Sequence, residues 1–378
     1  MTNYPTYKLG EICYIVYGKG FPTKNLKQEG FPVYGANGVI GYNETYLYEE
    51  EQVLISCRGA YSGKINRSPE KCWVTNNSLV IIPNTDVCKD FLYYALQSAN
   101  KEKLVTGTAQ PQVTINNAIE LQIPLPPLAT QRAIVTRIES LFAELDKGVE
   151  KLKTAQQQLK VYRQAVLNDC LTKGSEKWEK VKLGEVIEKP TYGTSKKCDY
   201  GITGTGVLRI PNIGDGYIVN DDMKFAIFSE EEKKKYSLKN GDLLTIRSNG
   251  SVDLVGKCAL ITLEEEKYLF AGYLIRLRPN NQIVESKYLL YVLMSHNLRV
   301  QIEEKAKSTS GVNNINSVEI QNLQIVLPPL PEQQRIVQEI ETRLSACDVM
   351  EKNIAEALQQ AEALRQSILK KAFEGELV

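Results

Sequence analysis

Apolar positions along the chain follow two periods, in the same order, twice. Between residues 1 and 128, short runs such as Val53-Leu54-Ile55 and Leu79-Val80-Ile81-Ile82 alternate with Gly-, Asn- and Ser-rich stretches. Brief runs rich in β-branched residues and bounded by turn formers predict strands. The stretch from Lys89 to Lys103 predicts a helix. Prolines at 124, 126 and 127 then stop the fold before a new element starts. From there the period changes. Ile138, Leu145, Leu152, Leu159 and Val166 fall seven apart, and a second set, Ile134, Leu141, Gly148, Ala155 and Tyr162, lies between them. This is the a/d spacing of a helix that packs along another helix. Residues 176–330 repeat the mixed plan, including a helix over Lys287–Ser295, and residues 331–378 repeat the heptads as Ile340, Cys347, Ile354, Ala361 and Ile368.

The repeat extends to individual residues. Lys8-Leu9-Gly10-Glu11 returns as Lys182-Leu183-Gly184-Glu185, and Tyr17-Gly18 as Tyr192-Gly193. An apolar run ending in Arg58, a loop and Gly63-Lys64 returns as Arg247, a longer loop and Gly256-Lys257. Pro83-Asn84 matches Pro279-Asn280, and Leu125-Pro126-Pro127-Leu128 matches Leu327-Pro328-Pro329-Leu330. Order is kept while the offset grows from 174 to 202, so the second copy carries insertions within a duplicated architecture. The reading is an α+β chain in four parts: two similar mixed domains at 1–129 and 176–330, and two long helices at 130–175 and 331–378.

Charge bears on how the helices pair. Residues 130–175 hold eight bases and five acids, whereas 331–378 hold six bases and nine acids. Opposite net charge favours pairing of the two stripes with each other over self-pairing of either. The alternative is that each stripe packs only onto its neighbouring domain.

Composition narrows the function. With 378 residues, 43% of them hydrophobic, there is room for two or three cores. No apolar run reaches the length of a membrane span, and the N-terminus lacks the layout of a secretory signal. Eight cysteines without a C-x-x-C pair read as reduced thiols, which places the chain in a cytoplasm. The single histidine, His296, leaves no Ser-His-Asp or Cys-His arrangement and no clustered metal ligands. Ser62-Gly63-Lys64-Ile65 fails the last position of a phosphate-binding loop, and Gly204-Thr205-Gly206 does not continue into a dinucleotide motif. Both double prolines sit between leucines, not in the Asn/Asp-Pro-Pro-aromatic context of an amino-methyltransferase. A duplicated chain without catalytic motifs points to binding, with no catalytic residue and no metal ligand. The net charge of +1 runs against the basic excess usual in DNA binders.

Reading bases needs side chains with paired donors and acceptors on loops or helices that can enter a groove, and phosphate contacts need cations and hydroxyls. Arg58, Tyr61, Ser62 and Lys64 form one such loop, with glycines that permit close approach. Arg247, Ser248, Asn249 and Lys257 form its expected counterpart. Asn37, Asn76 and Asn77 add amides, and the segment from Thr106 to Gln112 offers Thr108, Gln110 and Gln112; it corresponds to the segment from Ser308 to Asn314, which offers Ser308, Ser310 and Asn313. Lys19, Lys196 and Lys197 follow the two Tyr-Gly turns, and Arg209 completes the set. The competing reading for each is an ordinary turn or a surface ion pair.

Lys-Leu-Gly-Glu opening each half, Leu-Pro-Pro-Leu followed by Gln131 or Glu332-Gln333, then Ile134-Val135 or Ile336-Val337 and a heptad helix, resembles the specificity subunits of Type I restriction-modification systems. The pattern covers essentially the whole chain. Ala129-Thr130 and Ala133 depart from Pro331-Glu332 and Arg335 of the second copy.

The resemblance implies two target-recognition domains and an antiparallel coiled-coil spacer with pseudo-two-fold symmetry. It implies double-stranded DNA, two methyltransferase subunits and restriction-translocase subunits as partners, no membrane, and no cofactor on this chain. S-adenosylmethionine and ATP would reside on the partners. Two halves with a shared framework and different loops imply a non-palindromic, two-part target. A helix of about 42 residues, ~63 Å at ~1.5 Å per residue, would act as a ruler holding half-site centres ~10 bp apart. Two alternatives stay open: a carboxylate-based hydrolase, and a coiled-coil scaffold or adaptor with duplicated protein-binding domains.

Overall fold

The computed structural model describes residues 4–101, 104–107, 111–306 and 312–378. Four candidate residues, Thr108, Gln110, Ser308 and Ser310, lie outside them, as does Lys103. The chain divides into two compact units, residues 1–154 with 354–378, and residues 155–353. Among the described residues no helix is long and apolar enough to cross a membrane.

The first unit runs β1 (Thr6–Lys8), α1 (Leu9–Ile12), β2 (Cys13–Tyr17), β3 (Phe31–Tyr34), β4 (Val39–Asn43), β5 (Val53–Ser56), β6 (Ile65–Arg67), β7 (Trp73–Val74), β8 (Ser78–Pro83), α2 (Lys89–Ser98), α3 (Ile115–Ile119), β9 (Gln122–Pro124) and then the long helix α4 (Leu128–Thr172). Its sheets have the orders β2-β8-β5-β6, β4-β3-β7 and β1-β9. In the second unit follow β10 (Glu179–Lys182), α5 (Leu183–Val186), β11 (Thr191–Tyr192), β12 (Thr205–Leu208), β13 (Lys224–Ala226), α6 (Glu230–Lys235), β14 (Leu243–Ile246), β15 (Ser248–Asn249), β16 (Cys258–Leu260), β17 (Leu269–Phe270), β18 (Leu274–Leu277), α7 (Ser286–Met294), α8 (His296–Lys305), β19 (Asn313–Asn314), α9 (Ser317–Gln321), β20 (Gln324–Leu327) and the long helix α10 (Leu330–Glu374). The sheets β11-β18-β14-β16, β13-β12-β17 and β10-β20 repeat the first unit's orders, and β15-β19 is extra. The α+β architecture of two similar domains and two long helices is therefore present.

Helix α2 ends at Ser98, short of Lys103. His296 opens α8, exposed, behind α7. All eight cysteines are free thiols, six of them buried.

The repeated motifs turn out to be framework. In both copies of Lys-Leu-Gly-Glu, the glutamate carboxylate accepts the lysine backbone N–H (2.8 Å at Lys8, 3.1 Å at Lys182), capping a one-turn helix. Leu9 and Leu183 are fully buried. The glycines let this turn lie against α3 or α9: a Cβ at Gly10 would sit 2.8 Å from Ile119 Cβ, and one at Gly184 2.9 Å from Gln321 Cβ.

Gln131 and Gln333 show why each Leu-Pro-Pro-Leu is followed by glutamine. Both side chains are buried. Gln131 Oε1 accepts the Cys88 N–H (2.8 Å) at the start of α2, and its Nε2 donates to the carbonyls of Asp86 and Pro126 (3.0 and 2.9 Å). Gln333 makes the same three bonds to Glu285, Ile283 and Pro328. Each amide thus satisfies an orphan donor at a helix N-terminus and ties the long helix to its domain.

The long helices pack on each other within both units. In the second, Val166, Leu167, Cys170 and Leu171 of α4 share a core with Ile336, Val337, Ile340, Leu344 and Cys347 of α10, and Leu159 packs against it. There Arg163 pairs with Glu351 (2.8 Å) and with Asp348, and Asp169 pairs with Arg343, so α4 rises as α10 descends. In the first, Ile134, Ile138 and Phe142 meet Ile368, Leu369, Ala372 and Phe373, and Asp146 pairs with Arg365.

Ile138, Val166, Ile340, Cys347, Ile354 and Ile368 are buried, and Leu145, Leu152, Leu159 and Ala361 are half-buried. In the set between them on α4, Ile134 is buried and Leu141 and Ala155 are half-buried, whereas Gly148 faces open space and Tyr162 is 47% exposed. Val149 and Arg163, one position after the two exposed members, are half-buried instead. The ion pairs also refine the charge argument. In these pairs the base lies on α4 once, at Arg163, and on α10 twice, at Arg343 and Arg365.

Candidate nucleic-acid interface

An antiparallel sheet gathers loops that the sequence keeps apart. Tyr17 pairs with Leu79, Ser56 with Ser78, and Ile55 with Ile65. Neighbouring strands run oppositely, so the segments after β2, before β8 and between β5 and β6 all emerge at one end. Lys19, Asn76, Asn77 and the loop from Arg58 to Lys64 therefore meet. Asn37 joins through its turn: Ser78 Oγ donates to the Gly35 carbonyl (3.0 Å), and Asn66 Nδ2 donates to the Ala36 carbonyl (3.3 Å). Gln112 joins as the strand partner of Arg58, and Ser62 Oγ donates to the Pro111 carbonyl (2.7 Å).

Backbone approach is tight where glycine recurs. A Cβ at Gly18 would lie 2.2 Å from the Thr75 carbonyl oxygen, and one at Gly193 2.3 Å from that of Ala271. Gly63 and Gly256 share φ +84°, a left-handed conformation that glycine adopts without steric cost.

The exposed side chains at this end are cationic, aromatic and amide. Arg58, Tyr61 and Lys64 are exposed, with the Lys64 ammonium 5.7 Å from the Tyr61 ring centre. Lys19 sits equally far from the Trp73 ring. Among the described residues Arg58 has no carboxylate partner, and the side-chain amides of Asn76 and Asn77 have no hydrogen bond. Burial pushes the neighbouring Cys57 thiol up, which disfavours its thiolate form.

In the second unit the same end of β11-β18-β14-β16 carries the segments after β11, before β18 and between β14 and β16. Lys197 is exposed without a partner among the described residues. Lys196 donates to Glu232 (2.9 Å) and to the Ile227 carbonyl (2.8 Å), Arg209 pairs with Asp222 (2.9 Å), and Lys257 with Asp215 (3.0 Å). Hydrogen bonds first from Tyr200 and then from Arg209 lower the Asp222 carboxyl below its usual range, and Lys196 does the same to Glu232. These three cations are compensated within the unit.

Arg58 and Arg247 are not equivalent. The N–H of Ser56 and that of Ile246 donate to the carbonyls of Lys64 and Lys257, and the next residues, Cys57 and Arg247, donate to Asn77 and Tyr273. Arg247 thus matches buried Cys57, and Arg58 matches Ser248. Successive residues of an extended chain point to opposite sides, so this one-residue offset reverses the side chain. Arg247 turns inward: its Nε donates to the Gly272 carbonyl (2.9 Å) and its guanidinium lies 4.9 Å from the Tyr192 ring centre. The Tyr192 hydroxyl in turn accepts the Ser317 N–H (2.9 Å). The sequence comparison missed this because the longer loop concealed the offset. It also passed over Tyr273, 62% exposed in the place of Asn77; exposed Asn314, at the end of the segment from Ser308, lies opposite Ser248.

Among the described residues one group, Asp169, Cys170 and Glu339, has ligand atoms close enough for a metal ion. Arg343 already lies against all three, so a guanidinium occupies the position a cation would take.

A sequence profile described as the Type I restriction modification DNA specificity domain matches residues 1–154 and 175–360. The chain belongs to this family. It is 33% identical over 269 residues to the Type I restriction enzyme EcoKI specificity subunit of Escherichia coli K12, covering 68% of this chain and 58% of that relative's length. With the Escherichia coli EcoBI specificity subunit it shares 26% identity over 420 residues, 98% of this chain and 85% of the relative. A chain solved in work on complex assembly and conformational transition of the type I R-M system has the same fold, with a TM-score of 0.70 at 23% identity over 99% of this chain and 98% of that one.

Proposed function

We propose that this member of the specificity family is the non-catalytic DNA reader of a Type I restriction-modification complex. Residues 1–129 and 176–330 serve as target-recognition domains, and residues 130–175 and 331–378 as spacer helices. The observation that carries the reading is the repeated end-of-sheet cluster. One framework presents Arg58, Tyr61, Lys64 and Gln112 in the first copy, and Lys197, Ser248, Asn249, Asn313 and Tyr273 in the second. Common framework with different side chains is what two unequal half-sites require. Arg58 can offer a guanine O6/N7 edge two parallel donors, while the lysines suit phosphates.

The partners are double-stranded DNA, two methyltransferase subunits and the restriction-translocase subunits. S-adenosylmethionine and ATP bind to those partners, and the target is asymmetric and bipartite. The near-neutral net charge fits a subunit whose partners share the DNA contacts. An anisotropy titration of the full-length chain with duplex DNA tests the reading: affinity should fall steeply as salt rises, because phosphate contacts release counterions. A map of methylated adenines with and without the gene should lose one split motif. Binding to protein with no salt-dependent DNA affinity would instead favour the scaffold reading.

A further inference from the structure

The two units differ beside the Arg-bearing loop: the first has a single bridge there, Arg58 opposite Gln112. In the second, β15 and β19 form a two-stranded ribbon beyond the main sheet, with Ser248 opposite Asn314 and Asn249 opposite Asn313. The equivalents of Asn249 and Asn313 in the first unit are Gly59 and Pro111, which have no polar side chain. A two-stranded ribbon is one of the elements a DNA major groove admits.

Directly opposed residues project to the same face, with Cβ atoms roughly 5 Å apart. Each of these asparagines spends one end of its amide on the ribbon's own turn. Asn249 Oδ1 accepts the Ser251 N–H (2.9 Å), and Asn313 Nδ2 donates to the Gly250 carbonyl (3.0 Å). Among the described residues the other ends are unused, which leaves one donor, Asn249 Nδ2, beside one acceptor, Asn313 Oδ1. The turn bonds fix which end of each amide is which. A Cβ at Gly250 would meet nothing within 4 Å, so the ribbon tip is open.

We infer that Asn249 and Asn313 together read an adenine in the half-site of the second recognition domain. Adenine presents an acceptor, N7, and a donor, the N6 amino group, side by side in the major groove. Asn249 Nδ2 donates to N7, and Asn313 Oδ1 accepts from N6. Guanine would set its O6 against the Asn313 carbonyl, and cytosine has no acceptor for the Asn249 amide. The inference rests on the DNA-reading function proposed above and adds the base and the two residues that select it.

The test is selection from a randomised duplex library by the full-length chain, purified with any methyltransferase subunit that accompanies it. Wild type and the Asn249→Asp and Asn313→Ala variants are compared after each is shown to melt cooperatively. Asn249→Asp keeps the oxygen that holds Ser251 but replaces the free donor with an acceptor. The expected result is a switch at one position of one half-site from adenine to cytosine, whose N4 amino group an aspartate accepts. Asn313→Ala should reduce the adenine preference about tenfold, and in both variants the other half-site stays unchanged. If folded Asn249→Asp and Asn313→Ala select the wild-type sequence, or lose both half-sites together, the ribbon inference is overturned while DNA reading stands. If wild type enriches no sequence, the proposed function itself fails.

Discussion

At the scale of single residues, position in the strand outranks residue type. Arg58 and Arg247 look alike in sequence, yet one faces out and the other braces a turn on Tyr192 and Gly272. Arg58→Ala should cost about tenfold in discrimination at one base of the first half-site, as loss of a bidentate contact does. Lys197→Ala should weaken all sequences alike and lower the salt slope by about one unit. Competition binding over several salt concentrations separates the two effects. Gln131→Ala and Gln333→Ala leave a buried N–H and two buried carbonyls without partners. Each should destabilise its unit by about 2 kcal/mol, read as a lower urea midpoint. The glutamine was visible in the sequence as part of a repeated motif. Its task was not, because its three partners lie 5 to about 50 residues away.

At the scale of elements, periodicity was a good guide wherever an element was long. The heptads of α4 and α10 and the apolar runs of β5 and β8 announce themselves, since burial of a whole face leaves a regular pattern. Two-residue strands such as β15 and β19 leave none; they exist because the rest of the unit brings Ser248-Asn249 and Asn313-Asn314 side by side. Contacts between α4 and α10 include Arg163, whose guanidinium lies between Asp348 and Glu351. Arg163→Glu should lower stability by about 1 kcal/mol, since the pair is partly exposed and screened. Adding Glu351→Arg should recover part of the loss, and thermal unfolding of the single and double variants at low and high salt measures the coupling.

For the whole molecule, the proposed function raises the question of how two recognition domains would address one duplex. The proposed ruler predicts that a heptad inserted at matching places in both α4 and α10 lengthens the tolerated spacer, while one inserted in α4 alone breaks the antiparallel register and destabilises the chain. Methylation mapping of the two insertion variants, with their melting curves, checks both outcomes. An unchanged spacer in the doubly inserted, folded variant would refute the ruler.

By itself the sequence determined the duplication, the order of strands and long helices, the absence of familiar catalytic constellations, and the motifs that mark the family. Those features are local or periodic, and a linear comparison detects them. Only the tertiary structure decided which candidate cations are already neutralised, which arginine faces outward, and which asparagines stand opposite each other. Each depends on strand register and on partners distant in the chain, where a shift of one residue reverses the side chain and no local pattern records it.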